Sequence, residues 1–477
     1  MKKPNILMIM VDQWNAECFS GYGHPDIKTP NIDRLIKGGV AFRNCFAANP
    51  ICQPSRVSFF TGQYIHTHQV ETNHKESSPH SVCHPLAKEL KEKAGYRTGA
   101  FGKLHLGVFE KDAGFDVISH CCDNPFGEPE YHEYLRDKGL LDVYKQKELK
   151  PPKEISNNFH AGESPLKACD TNEVWTADRT LEFIRSSDDA PFFAWCTFER
   201  PHAPHFPPAD APVKYDPKSL TIPSYDPKYF ESKPNHSRSG AENLWKAWVL
   251  GEDALREGLA RYYGLMSLID QQVGRILDHL EKSGKIDNTI IIFTADHGDF
   301  AGNLGMLGKN TSNYDAIIRT PYIWYWKGRF DRNMPFDLCE TIDMYPTLCD
   351  LIGMETPPSV QGESHRDAMN NVPYYCGKPY IFCERQLTKT VRTRTHKLSF
   401  TTDGRRHVGE LYDIVADPDE LHNLYDNPEI RHIQSKLMEE LVAWYIRTEQ
   451  PDFFASSGQK TSDAMRWHNH FNQNKKR

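Results

Sequence analysis

Short, almost wholly apolar runs recur through the first 350 residues, separated by stretches with helical periodicity. The runs at 6–11, 98–102, 192–197 and 290–294 show little polar alternation, so they read as strands buried on both faces. Between them, 30–37 reads as a helix with Thr29 as its N-cap and Gly38-Gly39 as its stop, and 86–94 as another ended by Gly95. A longer helix is expected over 254–282, where Leu265, Leu268, Ile269, Val273, Ile276, Leu277 and Leu280 fall on one stripe. Buried strands alternating with helices predict an α/β fold: a large mixed, mostly parallel sheet sandwiched by helices. After about residue 370 the texture changes to short strands at 380–383, 397–401 and 411–414 and a helix over 428–445. That pattern predicts a smaller antiparallel sheet with one helix, and hence an α/β domain over 1–369 and a C-terminal subdomain over 370–477. The irregular stretch 121–163 and the proline-rich stretch 206–239 read as long surface insertions of the kind that carry binding function.

With 39% hydrophobic and 25% charged residues the chain has an ordinary globular composition. A net charge of −7 gives no reason to expect a nucleic-acid partner, and the basic run Lys475-Lys476-Arg477 reads as a solvated tail. The apolar run after Lys2-Lys3 is six residues long and stops at Asp12, too short for a secretory signal, and nothing elsewhere approaches the length of a membrane span. The expected location is cytoplasmic, with no membrane contact, and the twelve cysteines then read as reduced thiols. Oligomerisation stays open.

The densest motif is Asn49-Pro-Ile-Cys52-Gln-Pro54-Ser55-Arg56. Pro54 suits the first turn of a helix, which is expected over about 54–61 and ends at Gly62. Cys52 then lies at a positively polarised helix N-terminus, with Arg56 one turn further in. The first buried strand runs into Asp12-Gln13 and a later one into Asp296-His297-Gly298-Asp299. One Asp after a strand is most often a turn cap, but two carboxylates at the carboxyl ends of buried strands make a hard-cation site. Lys103 and His105, two residues apart on an extended segment, share one face. Alone, that pair would be a solvated edge, Cys52 a structural thiol and Lys309 a loop lysine.

Cys52-x-Pro54-Ser55-Arg56 resembles the signature of the formylglycine-dependent sulfatases of the alkaline-phosphatase-like superfamily. Gly95-Tyr-Arg-Thr-Gly-Ala-Phe-Gly-Lys103-Leu-His105 resembles the family's second signature, Pro201-His202-Ala-Pro204 its histidine loop, and Leu307-Gly308-Lys309 the segment that supplies a further lysine. Weaker similarities at 343–348 and 411–424 extend the likeness from residue 4 to about 430. Gln13 and His297 look like the branch that includes choline sulfatases and phosphonate monoester hydrolases. The resemblance implies that a maturase oxidises Cys52 to formylglycine. It implies one divalent cation on Asp12, Gln13, Asp296 and His297, with Ca2+ expected first and Mn2+ or Mg2+ as alternatives. Arg56, Lys103 and Lys309 would offset charge on sulfate, His105 would act as base on the aldehyde hydrate, and His202, rather than His205, would meet the leaving oxygen. The implied activity is hydrolysis of a sulfate monoester of a small carbohydrate. A phosphonate monoester or phosphodiester hydrolase on the same site and a non-enzymatic binding protein with unconverted Cys52 are the alternatives. His66, His68 and His74 are read as loop histidines, not a metal cluster.

Overall fold

The computed structural model describes residues 2–150, 159–187, 190–226, 228–229, 233, 250–309, 312–370, 372, 377–402 and 404–449. The apolar runs form the centre of an eight-stranded sheet built from β1 (Asn5–Asp12), β2 (Val40–Phe46), β3 (Arg97–Gly102), β4 (Val117–His120), β5 (Phe192–Pro201), β6 (Thr289–Ala295), β7 (Arg319–Tyr325) and β8 (Leu338–Glu340). Their order is β4-β3-β5-β1-β6-β7-β2-β8, parallel throughout except where β7 runs antiparallel to β6 and β2.

Burial on both faces is visible within β1. Leu7, Ile9 and Val11 join a core containing Tyr262, Met266, Ile269 and Val273 of the helix Glu252–Lys282 and Ala177, Leu181 and Ile184 of the helix Asn172–Arg185. Ile6, Met8 and Met10 join a separate core with Val57 and Phe60 of the helix Cys52–Thr61, Leu90 of the helix Leu86–Ala94 and Leu348 of the helix Met344–Ile352. Neither face sees water, which is why no polar alternation marks the strand. In register, Val11 lies opposite Phe198 of β5 and Ala295 of β6, so Asp12 and Asp296 leave the sheet side by side.

One expected boundary shifts because a distant group acts where the sequence suggests a local one. The first helix spans Ile32–Gly38, and Thr29 is not its N-cap. Asp270, from the long helix, accepts from the backbone N–H groups of Asn31 (3.0 Å) and Ile32 (2.8 Å), capping the end through space. At its other end Gly39 is obligatory, since a Cβ there would lie 2.2 Å from the Trp324 carbonyl oxygen.

The second sheet has four antiparallel strands, ordered β12-β11-β10-β9: β9 (Ile381–Arg385), β10 (Thr388–Arg392), β11 (His396–Thr402) and β12 (His407–Asp413). Strand β10 was not expected, because Thr-Lys-Thr-Val-Arg carries two charges; Lys389 pairs with Glu384, and Arg392 with Asp315 at 2.9 Å. The helix Arg431–Thr448 packs Leu437, Leu441 and Trp444 on this sheet against Phe382, Val391, Leu398 and Leu411.

The stretch 121–163, expected to be irregular, includes two short helices, Glu130–Asp137 and Leu141–Lys147. Parts of that stretch and of 206–239, and the run 475–477, lie outside the described residues. Among the described residues every cysteine is free, and no helix is long and apolar enough to cross a membrane. The three histidines go separate ways: His66 Nδ1 lies 2.8 Å from Glu384, His68 Nε2 lies 2.9 Å from the Ser58 hydroxyl, and the His74 backbone bonds the Gln53 side chain.

Candidate active site

Ile51 is extended (φ −115°, ψ 142°) and Cys52 opens the helix Cys52–Thr61, two residues earlier than Pro54 suggests. The early start is supported from outside the helix: Asn73 Oδ1 accepts from the Gln53 N–H (3.1 Å), and Asn49 Oδ1 accepts from the Ile51 N–H (2.7 Å). Gly62, in the left-handed region (φ 70°), closes the other end. Cys52 Sγ is buried, 2.7 Å from Lys309 Nζ, 3.3 Å from His297 Nε2 and 3.7 Å from Asp12 Oδ1. Burial opposes its ionisation, yet Lys309, Lys103 and His297, with a hydrogen bond from His105, hold the thiol well below its ordinary pKa.

Asp12 and Asp296 converge from β1 and β6. Asp296 Oδ1 accepts from the backbone N–H groups of Gln13 (3.1 Å) and His297 (2.9 Å). Arg56, fully buried, bonds Asp296 Oδ2 through Nε (2.8 Å) and Asp12 Oδ2 through Nη2 (3.3 Å); its Nη1 donates to Thr197 Oγ1 (2.8 Å) and to the Lys103 carbonyl. Its donors thus serve the two carboxylates and the ends of β3 and β5. Lys103 Nζ lies 2.8 Å from Asp12 Oδ2. Burial and Cys52 would raise the Asp12 carboxyl, but Lys103, His202 and Lys309 outweigh them and hold it below the usual carboxylate range.

These groups suit a divalent cation. Donor atoms of Asp12, Cys52, Asp296 and His297 all lie within 4.8 Å of one another. His297 Nδ1 is 2.9 Å from the Gly298 carbonyl, which can only accept, so in the neutral ring the proton sits on Nδ1 and Nε2 turns its lone pair to the site. The Gln13 amide nitrogen donates to Asp299 Oδ2 (2.7 Å), so the amide oxygen is the atom a cation would take. Gln13 itself has φ 66°, an unusual conformation for a side-chain-bearing residue, and the Tyr262 hydroxyl holds its carbonyl at 2.8 Å.

The cationic wall is built at the ends of β3 and β5. Gly102 (φ 108°) is required because a Cβ there would lie 1.9 Å from the Thr197 carbonyl oxygen, the atom that accepts from the Lys103 N–H (2.9 Å). Lys103 and His105 do not share a strand face as expected: β3 stops at Gly102 and His105 has φ 54°. Both still act on Cys52, because the turn folds His105 back toward it. Lys309 Nζ also lies 2.6 Å from His297 Nε2.

His202 follows β5 between two cis prolyl bonds, at Pro201 and Pro204. Its Nδ1 is 2.7 Å from the Ala203 carbonyl, leaving Nε2 for the pocket, and Arg200 Nη1 holds the His202 carbonyl at 3.0 Å. His205 is fully buried, edge-on to Tyr262 at 5.6 Å, with its backbone paired to His160 and Gly162. It packs in the interior, so His202 and not His205 is the histidine of this loop that the pocket can use. His205→Ala should therefore lower unfolding stability by about 2–4 kcal/mol, the range for emptying a large buried side chain, as read by denaturant titration.

Three further residues belong to the site. Asp299 is buried and accepts from Gln13, the Ala301 N–H (2.7 Å) and the Gly308 N–H (3.1 Å), tying the end of β1 to the loop that carries Lys309. Burial pushes its carboxyl up to about 6. It stands in the Asp-His-Gly-Asp motif, where its acidic character was the available signal. Thr197 links Arg56 to the Lys103 carbonyl (2.9 Å) but looks in sequence like any β-branched strand residue. Asp123, with Oδ2 3.7 Å from Lys103 Nζ, lies in the irregular stretch with no local motif.

The family model described as Sulfatase matches residues 4–354, and one described as N-sulphoglucosamine sulphohydrolase, C-terminal, matches 302–446. An arylsulfatase of Clostridium perfringens is 29% identical over 471 residues, covering 92% of this chain and 94% of the relative. An N-acetylglucosamine-6-O-sulfatase of Bacteroides thetaiotaomicron is 26% identical over 505 residues, covering 92% of this chain and 85% of its own. In fold, the chain superposes on a phosphonate monoester hydrolase from Silicibacter pomeroyi with a TM-score of 0.82 at 24% identity, covering 94% of this chain and 96% of the other.

Proposed function

The chain belongs to the sulfatase family, with its alkaline-phosphatase-like α/β fold and sulfuric ester hydrolase activity, and on that premise we propose that it acts on the sulfate monoester of a small carbohydrate through a formylglycine made from Cys52 and one divalent cation. One observation carries the reading: Cys52 Sγ sits at a helix N-terminus between two carboxylates and two lysines, 2.7 Å from Lys309 and 3.7 Å from Asp12. The name of the Bacteroides relative, an N-acetylglucosamine-6-O-sulfatase, supports a sugar as the alcohol half.

Asp12, Asp296, His297 Nε2 and the Gln13 amide oxygen would hold the cation, calcium first, with manganese or magnesium as the other outcomes of elemental analysis. Bound there, it would supply positive charge to a sulfate oxygen and acidify a neighbouring hydroxyl. The hydrate of a formylglycine supplies two hydroxyls on one carbon, one to attack sulfur and one whose deprotonation expels sulfate and restores the aldehyde. Around these groups Lys103 and Lys309 bind anionic oxygens, His105 takes the proton of the second hydroxyl, and His202 Nε2 delivers a proton to the departing alcohol. Arg56 holds Asp12 and Asp296 in place and adds positive charge beside residue 52, offsetting charge on the sulfate oxygens.

Parallel kinetics on sulfate monoesters and phosphodiesters, using protein co-expressed with a maturase, test the reading; a higher kcat/KM for phosphodiesters overturns it in favour of a phosphonate or phosphodiester hydrolase. The mass of the peptide holding residue 52 excludes or establishes an unconverted binding protein. For the acid, His202→Ala should slow sugar sulfates by about 100- to 10,000-fold, the usual worth of a general acid, and activated aryl sulfates far less, because a low-pKa phenolate leaves unaided. A steep dependence on leaving-group pKa in His205→Ala but not in His202→Ala would reverse the assignment.

A further inference from the structure

Strand β4 is the edge of the large sheet, and its carboxyl end is firmly held. The His120 N–H donates to Glu130 Oε2 (2.8 Å), His120 Nε2 lies 2.7 Å from Glu110 Oε2, and the Cys121 N–H donates to the Gly102 carbonyl (3.1 Å). Two residues beyond Cys121 the backbone turns left-handed at Asp123 (φ 51°), and its carboxylate lies 3.7 Å from Lys103 Nζ as a second acidic neighbour beside Asp12.

The two carboxylates around Lys103 differ in kind. Asp12 is 2.8 Å away with 0% of its side chain exposed, and it already neutralises the ammonium; Asp123 is 3.7 Å away with 45% exposed. Asp123 also feels His105, His202 and Cys52, so it faces the pocket where the sulfate reading puts the reacting bond. A carboxylate beside an anion-binding pocket works against sulfate itself. Beyond Lys103, the partner that its exposed carboxylate can still serve is in the other half of the substrate.

Resting on the sulfatase reading, we infer that Asp123 is a specificity-determining residue. It accepts a hydrogen bond from a hydroxyl or ammonium group of the alcohol half and disfavours alcohols that carry a second anion near the sulfate. The preferred substrate class is then a polyhydroxy or amino alcohol bearing a single sulfate, not a uronate or a disulfated unit.

The test uses the matured full chain and three aryl sulfates that carry an aminomethyl, a hydroxymethyl or a carboxylate substituent. Wild type should rank them in that order by kcat/KM, and Asp123→Asn should compress the cationic-to-anionic ratio about tenfold or more, since it removes the charge at near-constant shape. Comparing each ratio between wild type and variant cancels the intrinsic leaving-group differences. An unchanged ratio, or an equal loss on all three esters, overturns the inference; an equal loss would mean that Asp123 acts only by positioning Lys103. Failure of the wild type to hydrolyse both these aryl sulfates and sugar sulfates is a different result, which overturns the proposed sulfate ester activity and this inference with it.

Discussion

Cys52→Ala should abolish sulfate ester turnover while leaving the fold in place. The substitution removes one buried sulfur from a helix whose ten residues are all buried, and the caps that start and stop that helix come from Asn49, Asn73 and Gly62, which it does not touch. Removing so small a group costs at most about 1–2 kcal/mol. It also leaves Lys103 paired, since Asp12 stays 2.8 Å away. The chemistry, by contrast, loses its nucleophile outright, which in comparable enzymes costs roughly 10,000-fold or more. Thermal unfolding and turnover of an activated aryl sulfate, measured on the same preparation, separate the two effects. A variant within tenfold of wild-type turnover would sink any mechanism that runs through position 52.

What was legible in the sequence follows from where the causes lie. The central strands could be read because two-sided burial forces apolar residues at every position, as β1 does between its two cores. Asp12 and Asp296 could be read because two buried strands each end in a carboxylate, where one alone would read as a turn cap, and pairing β1 with β6 brings the two together. Strand β10 was hidden because its charges are answered by Glu384 and Asp315, the second of them far away in the chain. The N-terminus of the helix Ile32–Gly38 was misread for the same reason, its cap being Asp270. His202 and His205 differ by three positions; the Pro201-His202-Ala-Pro204 resemblance singles out His202, whereas the burial of His205 against Tyr262 has no local signal. Thr197 and Asp123 carry no local signal at all, since each acquires its role from Lys103 across the sheet ends.

Asp296→Ala and Asp12→Ala should each lose the cation and slow turnover by orders of magnitude, because the two strand ends share one ion. The structure adds a complication that dictates the choice of variant. Asp296 is also a partner of Arg56, a fully buried guanidinium, and stripping one carboxylate from a buried ion pair costs about 3–5 kcal/mol whether or not a metal is present. Asp296→Ala could therefore lose activity by unfolding. Asp296→Asn keeps the shape and an oxygen for the N–H groups of Gln13 and His297, which lie 3.1 and 2.9 Å away, while removing the charge a cation needs. An ion present at 100 times its dissociation constant stabilises the folded state by about 2.7 kcal/mol, so a chelator should lower the melting temperature of wild type and leave that of Asp296→Asn nearly unmoved. Gln13→Ala should fall between them, since it withdraws a neutral oxygen from a set whose charge comes from the two carboxylates. Elemental analysis decides the point independently of activity: equal metal content in wild type and folded Asp296→Asn would move the cation away from the ends of β1 and β6.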